Sequence, residues 1–366
     1  MTILIWLALG LTLLAFGGDA LVRGASRLAA ILGVSPLVIG VTVVALATSG
    51  PETAVSLQAS FAGEPDIALG NVIGSNILNI FFILGLCALL IPLVIAQRLL
   101  FHDVPIMIGA SLLVFGLAFD GGIDRWDGLL LLALMMVYLV FTVRHSRRET
   151  SEVRAVYESE YPRAGRYTNK TLGLQLFKIA VGLVMLILGA RWLVWSATEA
   201  ARVIGVSELV IGLTVVAAGT SIPELVASIV AILRGERDIA IGNVIGSNIF
   251  NLLAILGAAS LISRVGIPVA PAAFSFDMPV MIASAVACLP IFFWGHRLAS
   301  WEGGLFVGYY ILYASYLVMT ATRHHGIMIF ETALWIFVIP LTVLTIAVGV
   351  FRSREPRSNK VLTIDD

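Results

Sequence analysis

Long blocks of hydrophobic residues, separated by short polar breaks, run through most of the chain. About 20 apolar residues cross a ~30 Å hydrocarbon layer as a helix. The alternating ten-residue pattern of membrane β-barrels is not visible, so helices are the remaining way to satisfy the backbone in lipid. The sequence therefore predicts an all-α, polytopic transmembrane protein with spans at roughly 2–22, 36–61, 68–94, 104–120, 127–143, 174–198, 208–233, 240–262, 277–293 and 302–320, and one more at about 330–350.

The sequence also contains an internal repeat. Residues 33–80 and 205–252 align without gaps, and 31 of the 48 positions are identical. Five spans per copy is an odd number, so the second copy must enter the membrane in the opposite orientation. The predicted organisation is a first five-helix repeat, a cytoplasmic connector, a second inverted repeat, an additional helix and a cytoplasmic tail, at 1–143, 144–172, 173–320, 321–352 and 353–366 respectively.

Composition agrees with a membrane protein. Hydrophobic residues make up 59% of the 366 positions and charged residues only 13%, against about a quarter charged in soluble domains. The net charge of zero gives no reason to expect a nucleic-acid partner. With an outside N-terminus and a cytoplasmic C-terminus, 17 of the 23 Lys and Arg residues lie on the inside, as the positive-inside rule requires. We expect a prokaryotic inner membrane protein in that orientation.

Two carboxylates lie in the middle of apolar spans, each directly after a proline, where charge is costly and is functional by default. Glu52 follows Pro51 in ATSGPE, and Glu224 follows Pro223 in GTSIPE. A proline removes a backbone donor and kinks a helix, so carbonyls upstream become candidate ligands. The candidate ligands near the two breaks are the side chains of Thr48, Ser49, Glu52, Thr220, Ser221 and Glu224 and the carbonyls of Ala45 and Ala217.

The span after each break carries the segment GNVIGSNxxN. Its serine and final asparagine are spaced i,i+4 on one helical face, which adds Ser75, Asn79, Ser247 and Asn251 to the candidate ligands. Its paired glycines, at 70, 74, 242 and 246, predict close helix approach. Further along, Asp103 and Asp277, each two residues before a proline, are predicted helix caps.

Inverting and interlocking the two repeats would gather these faces at mid-membrane. The collected ligands are all oxygens, with two carboxylates, and such a set suits a hard cation such as calcium. Two empty glutamates would repel each other, so an unloaded site should bind a proton or a sodium ion. An exchanger requires that the empty protein does not readily change the side of the membrane to which its site is open.

At these motifs the chain resembles the sodium/calcium exchanger family, the calcium/cation antiporters. The resemblance implies a ten-helix core of inverted repeats, alternating access, transported calcium and sodium, no cofactor, no enzymatic activity and the twelve candidate ligands above. Both GSNxxN segments end in asparagine, whereas some relatives have aspartate, which lowers the negative charge of the site. The connector is too short for a calcium-sensing regulatory domain.

Several alternatives remain from the residues alone. The same site would serve a proton/calcium or other divalent-cation antiporter, and the glutamates could also be protonated structural carboxyls. A cation channel, an intramembrane enzyme and an anion transporter belong to other classes. Identical residues in both halves, without an H-E-x-x-H motif, favour a symmetric ion cage over an enzyme. The oligomeric state is open.

Overall fold

The computed structural model of the protein describes residues 2–148, 169–293, 297–324, 326–328 and 332. The predicted additional helix at 330–350, most of the connector and the tail lie outside this part of the chain. The helices of the first repeat are α1 (Thr2–Leu32), α2 (Pro36–Thr48), α3 (Gly50–Ala62), α4 (Pro65–Leu90), α5 (Leu99–Asp120) and α6 (Arg125–Arg148).

The second repeat follows the same plan. Its helices are α7 (Asn169–Val203), α8 (Glu208–Ile211, Gly212–Val216 and Ala217–Gly219), α9 (Ile222–Leu233), α10 (Arg237–Phe250, Asn251–Ile255 and Leu256–Ile262), α11 (Ala273–Asp277 and Met278–Phe293) and α12 (Ser300–Ala321). Among the described residues, seven helices are long and apolar enough to cross a membrane, and the bent pair α2/α3 makes an eighth candidate span. The chain is therefore a polytopic helical membrane protein, as predicted.

Four two-residue strands show how the repeats are oriented. They are β1 (Leu93–Val94), β2 (Gly122–Ile123), β3 (Ile267–Pro268) and β4 (Arg297–Leu298). The connection after α4 pairs through β1 with β4, and the connection after α5 pairs through β2 with β3. Each pair joins non-equivalent connections of the two repeats. This pairing is possible only when the repeats run in opposite directions through the layer.

The outer helices α1 and α7 pack against each other at backbone distance. A Cβ at Gly17 would lie 2.9 Å from the carbonyl oxygen of Gly182, and one at Gly10 would lie 3.0 Å from that of Gly189. These glycines recur every seven residues, so the two helices meet along one antiparallel seam. The two contacts exchange under the repeat symmetry, because Gly10 corresponds to Gly182 and Gly17 to Gly189.

The inner helices α4 and α10 form the buried centre of the molecule. Their most apolar windows are 78% and 89% buried, whereas those of α1 and α7 are 22% and 28% buried. Outer helices that expose large apolar side chains such as Phe16, Phe177 and Val184 meet lipid, and the central helices are shielded from it. Polar groups on α4 and α10 therefore lie where only protein or a bound ion can satisfy them.

Short π-helical stretches occur at equivalent places in the two repeats. The three pairs are Gly40–Val44 with Gly212–Val216, Leu78–Leu84 with Asn251–Ile255, and Leu99–Asp103 with Ala273–Asp277. A π-helical turn inserts an extra residue and shifts the faces of the helix on either side of it, and such turns are frequent at functional sites. Asn79 and Asn251 both lie within these stretches.

Candidate cation-binding site

The two glutamates begin the second halves of the broken spans. The chain leaves helical geometry at Ser49 (φ −75°, ψ 12°) and at Ser221 (φ −89°, ψ 8°). α2 and α3 consequently meet at a bend of 47°. Pro51 and Pro223 then stand in the first turn of the new helix, where the missing N–H costs nothing. Glu52 and Glu224 are each 1% exposed, and the helix N-terminus beside each favours its negative charge.

Hydroxyl groups of each repeat face the carboxylate of the other. The Ser221 hydroxyl donates a 2.7 Å hydrogen bond to Oε1 of Glu52, and Thr220 lies beside the same carboxylate. Thr48 and Ser49 lie beside Glu224. The two carboxylates are close enough for electrostatic repulsion. The breaks therefore interlock and form one shared cluster, as the inverted arrangement predicts.

The serines and asparagines of the GSNxxN segments border this cluster. Ser75 Oγ lies 3.3 Å from the Ser221 hydroxyl oxygen. The four predicted side chains Ser75, Asn79, Ser247 and Asn251 are at most 4% exposed. The Asn79 amide donates to Asn248 Oδ1 at 3.1 Å, and the Asn251 amide donates to Asn76 Oδ1 at 3.1 Å. The amide nitrogens of Asn79 and Asn251 therefore each bind an asparagine of the other repeat.

Six side-chain oxygens of the predicted ligands are buried without a hydrogen-bond partner in the described chain. Burying a polar atom in this way costs free energy unless another partner compensates it. All six are oxygens, and none belongs to an imidazole or a thiol. They are Ser49 Oγ, Glu52 Oε2, Asn79 Oδ1, Glu224 Oε2, Ser247 Oγ and Asn251 Oδ1. The donor set suits a hard cation.

The cluster is also limited in charge. The described residues contain no group of three or more His, Cys, Asp and Glu side chains placed to hold a metal ion. The two glutamates therefore supply the formal negative charge, and hydroxyl and amide oxygens supply the remaining ligands. Such a site carries at most two negative charges.

The two predicted carbonyl ligands have different surroundings. Ala45 is 1% exposed, and its carbonyl oxygen accepts a hydrogen bond from the Ser49 amide at 3.0 Å. The break therefore leaves this carbonyl bonded within the helix. Ala217, its counterpart, is exposed. The two ends of the broken-helix arrangement therefore differ in how far they are exposed.

The paired glycines show the same asymmetry. A Cβ at Gly246 would lie 2.6 Å from the Val41 carbonyl oxygen, and one at Gly40 would lie 2.9 Å from that of Ile239. The equivalent glycines Gly74 and Gly212 have no described atom within 4 Å of such a Cβ. Close approach was predicted for both repeats, but it occurs only where α2 of the first repeat meets α10 of the second.

The structure adds a pair of asparagines that the sequence analysis did not select. Asn71 donates to the Glu52 carbonyl oxygen at 3.1 Å and to Ser56 at 2.9 Å, while the Thr220 hydroxyl donates to its Oδ1 at 3.5 Å. In the other repeat Asn243 repeats the first two contacts with Glu224 and Ser228, and it accepts from Thr48 at 3.0 Å. Each asparagine ties the helix that begins at one break to the threonine of the other. The exact repetition of GNVIGSN was the signal that these asparagines were more than packing residues.

The comparisons with known proteins cover nearly the whole described chain. The family model of the sodium/calcium exchanger protein matches residues 2–144 and 174–319. The putative antiporter CaxA of Alkalimonas amylolytica is 39% identical over 78% of this chain and 88% of its own length. The sodium/calcium exchanger MaX1 of Methanosarcina acetivorans is 32% identical over 84% of this chain and 96% of its own.

A solved structure agrees. The sodium-calcium exchanger NCX_Mj, in a form soaked with zero Na+ and Ca2+, matches with a TM-score of 0.74 and 31% identity, over 86% of this chain and 98% of the other. The family match spans both repeats and leaves out the connector between them, in keeping with the doubled arrangement of the helices. The chain therefore belongs to the sodium/calcium exchanger family of membrane antiporters.

Proposed function

We propose that this protein exchanges calcium for sodium across a prokaryotic inner membrane, with both ions taking turns at the cluster around Glu52 and Glu224. The observation that carries the proposal is the set of six buried side-chain oxygens without hydrogen-bond partners. Three come from each repeat. A calcium ion with its preference for 6–8 oxygen ligands would compensate all of them, and sodium, also a hard cation, would compensate a smaller group at a time.

Charge balance supports a divalent cargo. The two carboxylates together neutralise one calcium ion, whereas an empty pair would bring two like charges together in a buried place. Sodium ions or protons would then have to replace calcium before the site changes sides. This coupling is the property that separates an exchanger from a leak.

The unequal packing of the two repeats supports alternating access. At the start of α2 the contact of Gly40, Val41 and Gly246 closes the approach, while the equivalent approach at the start of α8 is open and Ala217 is exposed. Inverted repeats in two different arrangements are the usual basis of alternating access. With the N-terminus outside, the start of α8 lies on the outer side, so this conformation would load ions from outside.

Calcium uptake into proteoliposomes tests the function. We expect an outward sodium gradient, with pH clamped on both sides, to drive accumulation of radioactive calcium, and we expect no accumulation with potassium in place of sodium. Uptake that follows a pH gradient and ignores sodium would replace the sodium proposal with proton/calcium exchange, because the same two carboxylates can accept protons. Downhill calcium flux without any counter-ion would indicate a channel.

A further inference from the structure

Two series of hydrogen bonds, here called ladders, each connect one predicted asparagine ligand through a second asparagine to a methionine. The first consists of Asn79, Asn248 and Met107, and the second of Asn251, Asn76 and Met281. Nδ2 of Asn79 donates to Oδ1 of Asn248 at 3.1 Å, and Nδ2 of Asn248 in turn donates to the Met107 sulfur at 3.5 Å. Asn79 Oδ1, at the near end, has no hydrogen-bond partner among the described atoms. The chain of contacts therefore runs from a sulfur, through two amides, to one free oxygen of the cluster.

The second ladder, related to the first by the repeat symmetry, starts from Asn251 of the second repeat. Nδ2 of Asn251 donates to Oδ1 of Asn76 at 3.1 Å, and Nδ2 of Asn76 points to the Met281 sulfur at 3.8 Å and the Asn248 carbonyl oxygen at 3.5 Å. Asn251 Oδ1 is again unpaired. All six side chains of the two ladders are at most 2% exposed, so water does not compete for these contacts.

An amide is the one ligand type in this cluster that can face a cation the wrong way. Its oxygen attracts a cation, but a turn of about 180° at the end of the side chain presents an NH2 group instead, which repels it. A carboxylate presents an oxygen in either case. An asparagine ligand is therefore useful only where something fixes its orientation.

The first ladder fixes which way the amides of Asn248 and Asn79 face. A thioether sulfur accepts a weak hydrogen bond and donates none, so Met107 is complementary to the NH2 of Asn248 and not to its oxygen. With its NH2 held by sulfur, Asn248 turns Oδ1 toward Asn79. That oxygen accepts only from the Asn79 NH2, which leaves the Asn79 oxygen for the ion.

We propose that Asn248 with Met107, and Asn76 with Met281, are positioning residues that hold the oxygens of Asn79 and Asn251 toward the transported cation. This inference rests on the proposed function, since it assumes that a cation occupies the cluster. In this inference the first asparagine of each GSNxxN segment fixes the orientation of the last asparagine in the opposite repeat.

Asn248→Leu tests the first ladder, because leucine fills similar space and cannot orient an amide. We expect the calcium concentration for half-maximal exchange to rise roughly tenfold, the equivalent of one net hydrogen bond. The decisive measurement is the same substitution in an Asn79→Asp background. Aspartate needs no orientation, so Asn248→Leu should then cause no further loss of calcium affinity.

The second ladder provides the matched control. Asn251→Asp should rescue Asn76→Leu and should fail to rescue Asn248→Leu, because each positioning asparagine serves only one ligand. The milder Met107→Leu should reproduce part of the Asn248→Leu defect and lose its effect in the Asn79→Asp background. If Asn248→Leu does not yield folded protein, the Met107→Leu series alone decides the question.

Three outcomes would overturn the inference. They are normal calcium affinity in Asn248→Leu and Met107→Leu, an equal loss with and without Asn79→Asp, and rescue of Asn248→Leu by Asn251→Asp. A merely structural role predicts the second. Failure of the proposed function would look different, because the unaltered protein would then show no sodium-driven calcium uptake at all.

Discussion

Glu52→Gln isolates the charge of one candidate ligand from its shape. Glutamine has the same length as glutamate, and its amide oxygen can still accept the 2.7 Å hydrogen bond from the Ser221 hydroxyl. In the variant an NH2 group replaces the unpaired oxygen Oε2. The helix break and the Asn71 contact to the Glu52 backbone carbonyl do not involve the carboxylate. The substitution should therefore leave the fold in place.

The magnitude follows from the burial of the group. Glu52 is 1% exposed, so a cation bound beside it would lose its water and depend on the protein for its countercharge. Removing one partner of a buried ion pair costs about 3–5 kcal/mol. At 1.4 kcal/mol per factor of ten, calcium affinity should fall by roughly 100-fold to 4,000-fold.

Calcium binding to purified protein, by calorimetry or equilibrium dialysis, and sodium-driven uptake in proteoliposomes measure the two consequences. We expect both binding and uptake to be lost at calcium concentrations that saturate the unaltered protein, and we expect Glu224→Gln to behave alike. Glu64→Gln is the matched control, because Glu64 is exposed in the turn before α4 and its side chain caps no helix N–H. Unchanged calcium affinity in folded Glu52→Gln protein would refute the assignment of the site.

Three shorter predictions concern the surroundings of the carboxylates. Ser221→Ala removes a hydrogen bond to a charged group, for which about 1.5–3 kcal/mol is typical, so the calcium concentration for half-maximal uptake should rise at least tenfold; an unchanged value would remove Ser221 from the site. Gly246→Ala places a methyl group against the Val41 backbone and should lower the free energy of unfolding by about 1–3 kcal/mol, which a fluorescence melting curve would show as a lower Tm. Gly74→Ala, where a Cβ would meet no described atom within 4 Å, should leave the Tm unchanged. A cysteine introduced at the exposed Ala217 should react with a charged thiol reagent added outside cells, and one at the buried Ala45 should not. Both native cysteines are buried and should give little background labelling. Equal labelling at the two positions would contradict the one-sided opening.

Much of this arrangement was predictable because the membrane restricts the possible structures. Apolar block length predicted the spans, of which seven or eight are long and apolar enough to cross a membrane among the described residues. The odd number of predicted spans per repeat required inversion, and the β1–β4 and β2–β3 pairings agree with it. Glu52 and Glu224 were identifiable because a carboxylate in an apolar span is costly and needs a partner. The gathering of both breaks into one cluster then followed from the pseudo-symmetry.

Other features depend on contacts that a pattern does not contain. Asp103 was predicted as a cap, but it lies in a π-helical stretch, makes no capping hydrogen bond and accepts one from the Tyr138 hydroxyl at 3.0 Å. Asp277 likewise accepts from Tyr313 at 2.9 Å. Each tyrosine is about 35 positions further along the chain, beyond the range of a local motif. The orienting asparagines were visible as repeated letters, but only the three-dimensional contacts separate an asparagine that faces the cluster from one that holds it.

The difference between the two repeats is informative because their sequences are so alike. Gly40, Gly242 and Gly246 are tightly packed, whereas a Cβ at their counterparts Gly212, Gly70 and Gly74 would meet no described atom within 4 Å, although the residues are the same. A single sequence motif therefore occurs in two arrangements within one molecule. Exchanging the two arrangements would close the open side and open the closed one with much the same contacts, so the two states should differ little in free energy. A cation and its counter-ion that bind the shared carboxylates differently in the two arrangements would then shift the population between them.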